Sequence, residues 1–294
     1  MADISTLVQD IYQLFSPDHG HVVNEDNLEY FAQSLKETIR TRLALREERK
    51  FSLRFSGLGK PDRRIWYEAH GYPAEPMTNK TYFKFLYGDV IEALILFLAK
   101  EAGHEVTDEQ KEVDCLGVLG HLDAKIDGTV VDVKSASPYG FQKFKDHSLL
   151  EKDSFGYVQQ LSGYVNEETP GEAGAFLAVN KVNGDITVMP LSSSIVSSHR
   201  PAERINHLRS VVSSDVPPPR CYPDEPEGKS GNRKLGTECS YCAYKNECWP
   251  GLRTFRYSTG PKYLTKVVEI PRVYEIRTET GPNKSTVEAD LDID

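Results

Sequence analysis

The stretch GHLDAKIDGTVVDVKSAS, Gly120–Ser137, contains the features that decide the fold and point to a site. Its β-branched residues predict a strand, and Asp127-Gly128 is a pair typical of a two-residue hairpin turn. A hairpin turned there places Asp123 four residues before the turn and Asp132 four residues after it. The two aspartates then become near-opposite neighbours, with side chains about 5 Å apart.

A lysine completes this arrangement of charges. Lys134 follows Asp132 by two residues, so the alternation of a strand puts both side chains on one face. Two carboxylates this close are destabilising unless a cation neutralises them, and Mg2+ or Mn2+ prefers such oxygen ligands. A metal of this kind activates water and stabilises charge on phosphate oxygens, while a lysine can orient the water or offset negative charge. The pattern indicates phosphodiester hydrolysis, although an exposed hairpin with solvated charges is the alternative that these residues leave open.

The rest of the chain predicts a mixed α/β core. Helical periodicity or high apolar content predicts five helices: Ile4–Phe15, Asn27–Arg49, Tyr82–Lys100, Tyr157–Glu167 and Ser193–Ser213. The helix over Tyr82–Lys100 is so apolar that we expect it to be largely buried. Two further strands, AFLAVNK and DITVMPL, are joined by the turn pair Asn183-Gly184.

Composition describes an ordinary globular chain. Of the 294 residues, 39% are hydrophobic and 27% are charged, and the net charge is -9. The longest apolar run, Ala93–Ala99, is too short to span a bilayer, and the N-terminus lacks the features of a signal peptide, so we expect a cytoplasmic protein without a membrane partner. The overall acidity hides a local surplus of Lys and Arg between residues 36 and 64.

An ordered set of motifs resembles a known family. GHLD followed by DVK resembles the active-site hairpin of the PD-(D/E)XK nuclease superfamily, specifically its RecB-like exonuclease branch. Upstream, YGDVIEALI resembles the first motif of that branch, with Glu92 where many members have histidine. Downstream, VQQLSGY carries Gln160 and Tyr164 in the Q-x-x-x-Y arrangement of the branch. Finally, ECSYCAYKNECWP resembles the cysteine segment of its iron-sulphur members.

This resemblance implies a fold and a set of roles. The implied fold is α/β and restriction-endonuclease-like: a mixed central sheet flanked by helices, with a C-terminal cysteine-rich metal-binding clasp. The implied ligands of Mg2+ or Mn2+ are Glu92, Asp123, Asp132 and the carbonyl of Val133. Lys134 would help to activate water. Gln160 and Tyr164 would support the site or touch DNA near the scissile phosphate.

The function that follows from the resemblance is hydrolysis of DNA. We expect a metal-dependent exonuclease acting on DNA ends or single strands, alone or with recombination, repair, phage-replication or CRISPR-adaptation proteins. Two alternatives remain open from the sequence. One is a non-catalytic nucleic-acid-binding module that keeps the fold, and the other is a zinc-binding adaptor built around the cysteines.

Four cysteines fall within one C-terminal stretch: Cys221, Cys239, Cys242 and Cys248. Such clustering in a chain without an export signal indicates metal binding. The iron-sulphur members usually draw a fourth cysteine from a segment before the first motif, where this chain has Pro61. Cys221 is therefore the expected replacement, whereas the apolar neighbours of Cys115 predict a buried, inert thiol. A [4Fe-4S] cluster is the favoured occupant and Zn2+ the alternative.

Nucleic-acid contacts are expected before the nuclease core and within its first residues. The basic stretch could neutralise phosphates, and we assign Arg63, Arg64 and Tyr67 to nucleic-acid binding. The expected organisation is an N-terminal helical region over 1–55, a nuclease core over 56–215, a cysteine-rich segment over 216–252 and a C-terminal extension over 253–294. The last residues of that extension form an acidic tail that we expect to be disordered.

Overall fold

The computed structural model of the protein describes residues 3–18, 20–44 and 50–276. The chain divides into two compact units, Met1–Cys221 and Tyr222–Asp294. The acidic tail and the end of the helix predicted over Asn27–Arg49 lie outside the described residues.

Within the described residues, the first unit holds a mixed five-stranded sheet in the order β1-β4-β5-β6-β7. Its strands are β1 (Val106–Thr107), β4 (Ala124–Ile126), β5 (Thr129–Ala136), β6 (Gly174–Asn180) and β7 (Ile186–Leu191). Strands β5 and β6 pair in parallel, and the other neighbours are antiparallel. A separate hairpin pairs β2 (Glu112–Cys115) with β3 (Val118–His121). The predicted mixed sheet is confirmed.

Helices lie on both faces of this sheet. They are α1 (Leu7–Gln13), α2 (Glu25–Leu43), α3 (Asp62–Ala69), α4 (Asn79–Glu101), α5 (Pro138–Lys145), α6 (Tyr157–Glu168), α7 (Ser193–Ser198) and α8 (Pro201–Val212). Short 3-10 helices cover Phe55–Gly57 and Ser148–Leu150. The single helix predicted over Ser193–Ser213 is wrong, because Pro201 starts a new helix, a position that proline favours. Among the described residues, no helix is both long and apolar enough to cross a membrane.

The alternation of β5 sends its side chains into two separate cores. One core joins the sheet to α1 and α4 through Leu7, Ile11, Ile95, Val131 and Val133, among others. The other joins the sheet to α5 and α6 through residues that include Val130, Phe141, Leu161 and Phe176. Because side chains alternate along a strand, Asp132 points to the same face as Val130, toward α6.

The helix α4 is longer and more exposed than the sequence predicts. It begins at Asn79, where the preceding Thr78 side chain caps it, and Gly103 follows it in a left-handed conformation with φ of 85°. Its buried residues lie in the second half, whereas Phe83, Phe85 and Tyr87 are exposed. The prediction of a largely buried helix is therefore wrong for its first half.

The second unit is built on another sheet. In its described part five strands follow the order β12-β10-β11-β9-β8: β8 (Glu225–Glu227), β9 (Asn232–Lys234), β10 (Arg253–Tyr257), β11 (Gly260–Lys266) and β12 (Glu275–Ile276). Two one-turn helices, α9 (Thr237–Ser240) and α10 (Lys245–Cys248), lie between β9 and β10. Buried Asn232 anchors the chain after β11, since its side chain accepts from Val268 N at 2.7 Å and donates to Glu269 O at 2.8 Å.

Candidate active site

The predicted hairpin is present and sets the geometry of the site. Asp127 and Gly128 have φ of 49° and 80°, the left-handed pair that a tight hairpin turn requires. The register pairs Ala124 with Val131, so the preceding residue, Asp123, lies opposite Asp132. Asp127 itself serves the turn, because its carboxylate accepts from Glu105 N at 3.1 Å and lies 2.7 Å from His104 Nδ1. The two aspartates are brought together as predicted.

Asp123 is held against the neighbouring strand. Its Oδ2 accepts a 2.7 Å hydrogen bond from the backbone N–H of Val133. Burial, together with the nearby charge of Asp132, raises the pKa of Asp123 to about 7. A carboxylate whose ionised form is disfavoured in this way is suited to a site that gains a cation.

Asp132 and Lys134 form a buried ion pair. Asp132 is 2% exposed, and its Oδ2 lies at ion-pair distance from Lys134 Nζ without accepting a hydrogen bond of ordinary geometry. Burial raises the pKa of Asp132. Burial would lower the pKa of Lys134, but Asp132 and Asp123 outweigh it and raise that pKa, so the ammonium persists at neutral pH. Its Nζ also lies 5.0 Å from the centroid of the Tyr157 ring, a cation–π contact.

Glu92 approaches from α4 and completes the set of acids. Its Oε1 accepts a 2.6 Å hydrogen bond from Gln110 Nε2, a residue that the sequence did not indicate. Burial, and then the charge of Asp123, raises the pKa of Glu92 to about 8. Asp89, one helical turn earlier, adds negative charge near both Glu92 and Asp123. Two hydrogen bonds from the Arg42 guanidinium hold Asp89, one of them 2.8 Å long.

Gln160 and Tyr164 share one face of α6, as their spacing predicts. Tyr164 is buried, its ring stacks on Phe55 with centroids 4.9 Å apart, and Gln160 lies near enough to its hydroxyl to affect its pKa. Burial is the main cause that raises the pKa of Tyr164 to about 12. A Cβ at Gly120 would lie 2.8 Å from the Tyr164 hydroxyl, so glycine permits this close packing. Tyr164 therefore supports the strand that leads to Asp123.

The loop before α6 also contributes residues that the sequence analysis missed. Asp153 accepts hydrogen bonds of 2.8 Å from both Gly156 N and Val158 N, which orders the start of α6. Its charge lies near enough to raise the pKa of Asp132 further. The loop leads directly into Tyr157, which packs beneath Lys134. An aspartate four residues before the helical pattern was the one signal that could have indicated this cap.

The residues assigned to nucleic-acid binding lie on α3 and are largely engaged internally. Arg63 donates to Tyr67 Oη at 3.0 Å and to the carbonyl of Pro218. Tyr67 is 4% exposed, so its ring packs inside the protein. Arg64 is half-buried, and its Nε atom has no hydrogen-bond partner. In this structure Tyr67 therefore presents no exposed ring to a nucleic acid.

The cysteines occupy contrasting environments. Cys115 is buried, and burial followed by a hydrogen bond with Glu167 raises its pKa to about 12, consistent with the predicted inert thiol. Cys221 is exposed and ends the first unit. In the second unit Cys239, Cys242 and Cys248 are half-buried on and between α9 and α10, where Cys242 N donates to Cys239 O at 3.1 Å.

The acidic site has donors of the kind that a metal ion prefers, but their spacing in this structure is wide. Across the described residues, no group of three or more His, Cys, Asp or Glu side chains is gathered closely enough to hold a metal ion. The donor chemistry nevertheless suits Mg2+ or Mn2+, because the carboxylates of Asp123 and Asp132 lie at opposing strand positions and their charges repel each other. The hydrogen bond from Gln110 holds the Glu92 carboxylate in its position in this structure.

Comparison with known proteins gives little information about identity. No family model matches the sequence, and no curated protein matches it. A solved structure described as "Crystal structure of SSO0001" is similar to this chain, with a TM-score of 0.40 and 15% sequence identity. The match covers 75% of this chain and 95% of that chain. A similarity this weak carries no argument about fold or function.

Proposed function

We propose that this protein is a divalent-metal-dependent DNA nuclease of the RecB-like PD-(D/E)XK type, acting as an exonuclease on DNA ends or single strands. The observation that supports this most is that Asp123 lies opposite Asp132, which pairs with Lys134, while Glu92 is near enough to feel the charges of Asp123 and Lys134. The three acids outnumber the base beside them, and burial and mutual repulsion make ionisation of Glu92 and Asp123 costly without a cation. A divalent cation would neutralise that charge and thereby make the arrangement favourable.

Each residue has a role in this proposal. Glu92, Asp123, Asp132 and the Val133 carbonyl would hold the ion, which when bound supplies Lewis acidity and a more acidic water. Lys134 remains an ammonium at neutral pH, so it is suited to orienting water or offsetting charge on the phosphate. A role for Lys134 as the proton acceptor fits less well with its raised pKa. Gln160 and Tyr164 act as positioning residues.

The cysteines form a second part of the proposal. Cys239, Cys242 and Cys248 would bind a [4Fe-4S] cluster, with Zn2+ as the alternative, and Cys221 stays the predicted fourth ligand. The support is their spacing and their position, with Cys239 on α9, Cys248 on α10 and Cys242 in the short connection between the two helices. The cluster would stabilise the second unit. The proposed partners of the whole chain are DNA and recombination or replication proteins.

A cleavage assay tests the nuclease proposal. Single- and double-stranded DNA, labelled at the 5′ or 3′ end, would be incubated with Mg2+, Mn2+ or a chelator. We expect wild type to digest DNA only with metal, and Lys134→Ala to lose digestion. Lys111→Ala is the matched control, because Lys111 pairs with Glu168 outside the site. Equal digestion by wild type and Lys134→Ala, or no digestion by either, would reject the mechanism.

A further inference from the structure

A cleft of about 620 Å³ lies in the first unit beside the start of α6. The residues that follow Gly57, the loop before α6 and the end of α7 surround it. Sites for small organic ligands typically have volumes of roughly 300–1,000 Å³. The described walls of this cleft include none of the proposed metal ligands, so it is distinct from the acidic site.

Much of the cleft wall is aliphatic and firmly held. The apolar side chains in it are Leu58, Leu150, Val158 and Ile195. Leu58 and Val158 are buried and belong to the core that joins the sheet to α5 and α6. Gly156 has φ of 78°, and a Cβ there would lie 2.3 Å from Gly59 Cα, so the two backbones are in direct contact. The cleft is therefore formed before a ligand binds, a condition that lowers the cost of binding.

Gln159 brings an unsatisfied amide to this wall. Its Nε2 atom is buried and has no hydrogen-bond partner. Buried donors in folded proteins nearly always have a partner, so this amide indicates a ligand with a complementary polar edge. A half-turn of the carboxamide exchanges its oxygen and nitrogen without breaking any hydrogen bond to Nε2. Gln159 can therefore offer a donor and an acceptor to the same ligand.

His199 adds a second polar group to the wall. Its Nδ1 lies 2.9 Å from the carbonyl oxygen of Ile195, which can only accept, so Nδ1 carries a proton. In the neutral ring Nε2 is then an acceptor. Asn166 fixes the backbone here, because its Nδ2 donates to His199 O at 3.1 Å and to Val196 O at 2.9 Å.

The charges around the cleft favour a neutral ligand over an anion. Arg204 lies in the wall, but its guanidinium already donates at 2.6, 2.7 and 2.9 Å to Asp62 Oδ1, Lys60 O and Leu58 O. The carboxylate of Asp153 also lies in the wall and would repel a phosphate. A neutral ligand with apolar faces and with donors and acceptors on its edge fits these surroundings.

We propose that this cleft binds one unpaired nucleobase. The inference rests on the proposed nuclease function and deepens it by naming the part of the substrate that the protein reads. A nucleobase is neutral and flat, and enzymes that take a base out of the stack hold it between apolar side chains and read its edge by hydrogen bonds. Glutamine is the partner of adenine in particular, because its amide can bond with N6 and N7 together.

The cleft and the candidate active site share the start of α6. Asp153 lies in the wall of the cleft, and its charge helps to raise the pKa of Asp132. Gln159 belongs to the cleft, whereas the Tyr157 ring lies beneath the ammonium of Lys134. A strand whose phosphate lies at the acidic site would therefore have a neighbouring base near the cleft. The base would be held by the cleft, while the acidic residues act on the phosphate.

The competing explanation is that the cleft is only a solvent-filled crevice. Ser198→Trp separates the two explanations, because Ser198 is an exposed residue of the cleft wall and the added ring would fill the cleft. Ser197→Trp is the matched control, since Ser197 is the preceding exposed residue of α7 and lies outside the wall. Gln159→Leu removes the carboxamide at similar size. Thermal unfolding of each variant establishes that it is folded.

The experiment measures binding of labelled single strands of adenine or of thymine nucleotides by fluorescence anisotropy, without divalent metal. We expect wild type and Ser197→Trp to bind the adenine strand on the order of tenfold more tightly than the thymine strand. Ser198→Trp and Gln159→Leu should each lose that preference. Equal affinity of wild type for the two strands, or a preference that Ser198→Trp and Gln159→Leu retain, would overturn the inference.

A free nucleotide is the other source of such a base. Deoxyadenosine monophosphate would be titrated by calorimetry into wild type, Ser197→Trp and Ser198→Trp. Heat of binding that only Ser198→Trp abolishes, together with equal strand affinities in all three proteins, would assign the cleft to a free nucleotide. An adenine preference among strands that Ser198→Trp abolishes assigns it to the DNA strand.

These measurements separate this inference from the nuclease proposal, because they require no cleavage. Adenine binding that depends on Gln159, in a protein that cleaves no DNA, would reject the nuclease proposal and leave the cleft standing. Metal-dependent cleavage by wild type, with no effect of Ser198→Trp or Gln159→Leu on any base or strand, would reject the cleft alone.

Discussion

The backbone N–H of Val133 donates a 2.7 Å hydrogen bond to Oδ2 of Asp123 across the β4–β5 hairpin. The bond holds the Asp123 side chain beside strand β5, opposite Asp132 in the register. One favourable contact therefore keeps two acids near each other, although burial and mutual repulsion oppose their ionisation. We expect this unfavourable ionisation to lower the stability of the metal-free protein.

The first prediction is that the metal-free protein loses stability as pH rises. The pKa values of Asp123 and Glu92 are raised to about 7 and about 8, from ordinary values near 4. Below about pH 4 these groups are protonated both folded and unfolded, so no penalty applies. Above about pH 4 the two carboxyl groups ionise in the unfolded chain but stay protonated in the folded protein. The free energy of unfolding therefore falls with rising pH until the groups also ionise in the folded protein. Chelator-treated protein should be less stable at about pH 8.5 than at about pH 5.5 by roughly 2–4 kcal/mol in urea unfolding.

A matched variant shows whether these carboxylates cause the effect. Glu92→Gln removes one of the coupled acids, so its stability should depend less steeply on pH. Added Mn2+ should stabilise wild type more at the higher pH, because ionised ligands bind metal better. A wild-type profile as flat as that of Glu92→Gln would contradict the assignment.

The second prediction concerns the buried pair of Asp132 and Lys134. Lys134→Met removes the ammonium and leaves Asp132, which is 2% exposed, without its ion-pair partner. We expect this variant to lose about 3–5 kcal/mol of unfolding free energy. Asp132→Asn combined with Lys134→Met should recover most of the loss, because no buried charge remains. Urea unfolding of the four members of this cycle measures the coupling, and additive effects would rule out a strong pair.

The third prediction concerns the ring beneath the lysine. Lys134 Nζ lies 5.0 Å from the centroid of the Tyr157 ring, so Tyr157→Phe should keep the cation–π contact and Tyr157→Leu should lose it. The expected loss of stability for Tyr157→Leu relative to Tyr157→Phe is about 0.5–2 kcal/mol. Cleavage should fall in the same order, because the ring also positions the ammonium. A Tyr157→Phe variant as defective as Tyr157→Leu would point instead to the hydroxyl.

The meeting of Asp123 and Asp132 could be predicted because their separation depends on a local signal. Asp127-Gly128 fixes both the length of the turn and the register of the strands, and register decides which side chains face each other. The positions of Gln110 and Asp89 depend on tertiary structure. Gln110 lies in a turn, where its φ is 53°, and its side chain reaches Glu92. Asp89 contacts Arg42 because α2 packs near α4. The periodicity of the sequence predicts neither of these two contacts.

Two larger features were missed for related reasons. The apolar content of α4 predicts burial of the whole helix, but it does not reveal that the first half extends past the sheet core and exposes Phe83 and Phe85. In the second unit, strands such as Arg253–Tyr257 alternate weakly and contain several charged or polar residues. Such strands give no clear period of two, so most of that sheet could not be predicted.

The last prediction concerns the metal proposed for the cysteines of the second unit. Cys242→Ala and Cys248→Ala should each lose most of the bound metal, because a four-thiolate site seldom survives the loss of one ligand. Cys115→Ala is the matched control, since that thiol is buried and its pKa is raised to about 12. Anaerobically purified protein would be analysed for iron, acid-labile sulphide and zinc. Iron with sulphide would support a [4Fe-4S] cluster and zinc alone the alternative. Equal metal content in Cys242→Ala and wild type would reject the assignment.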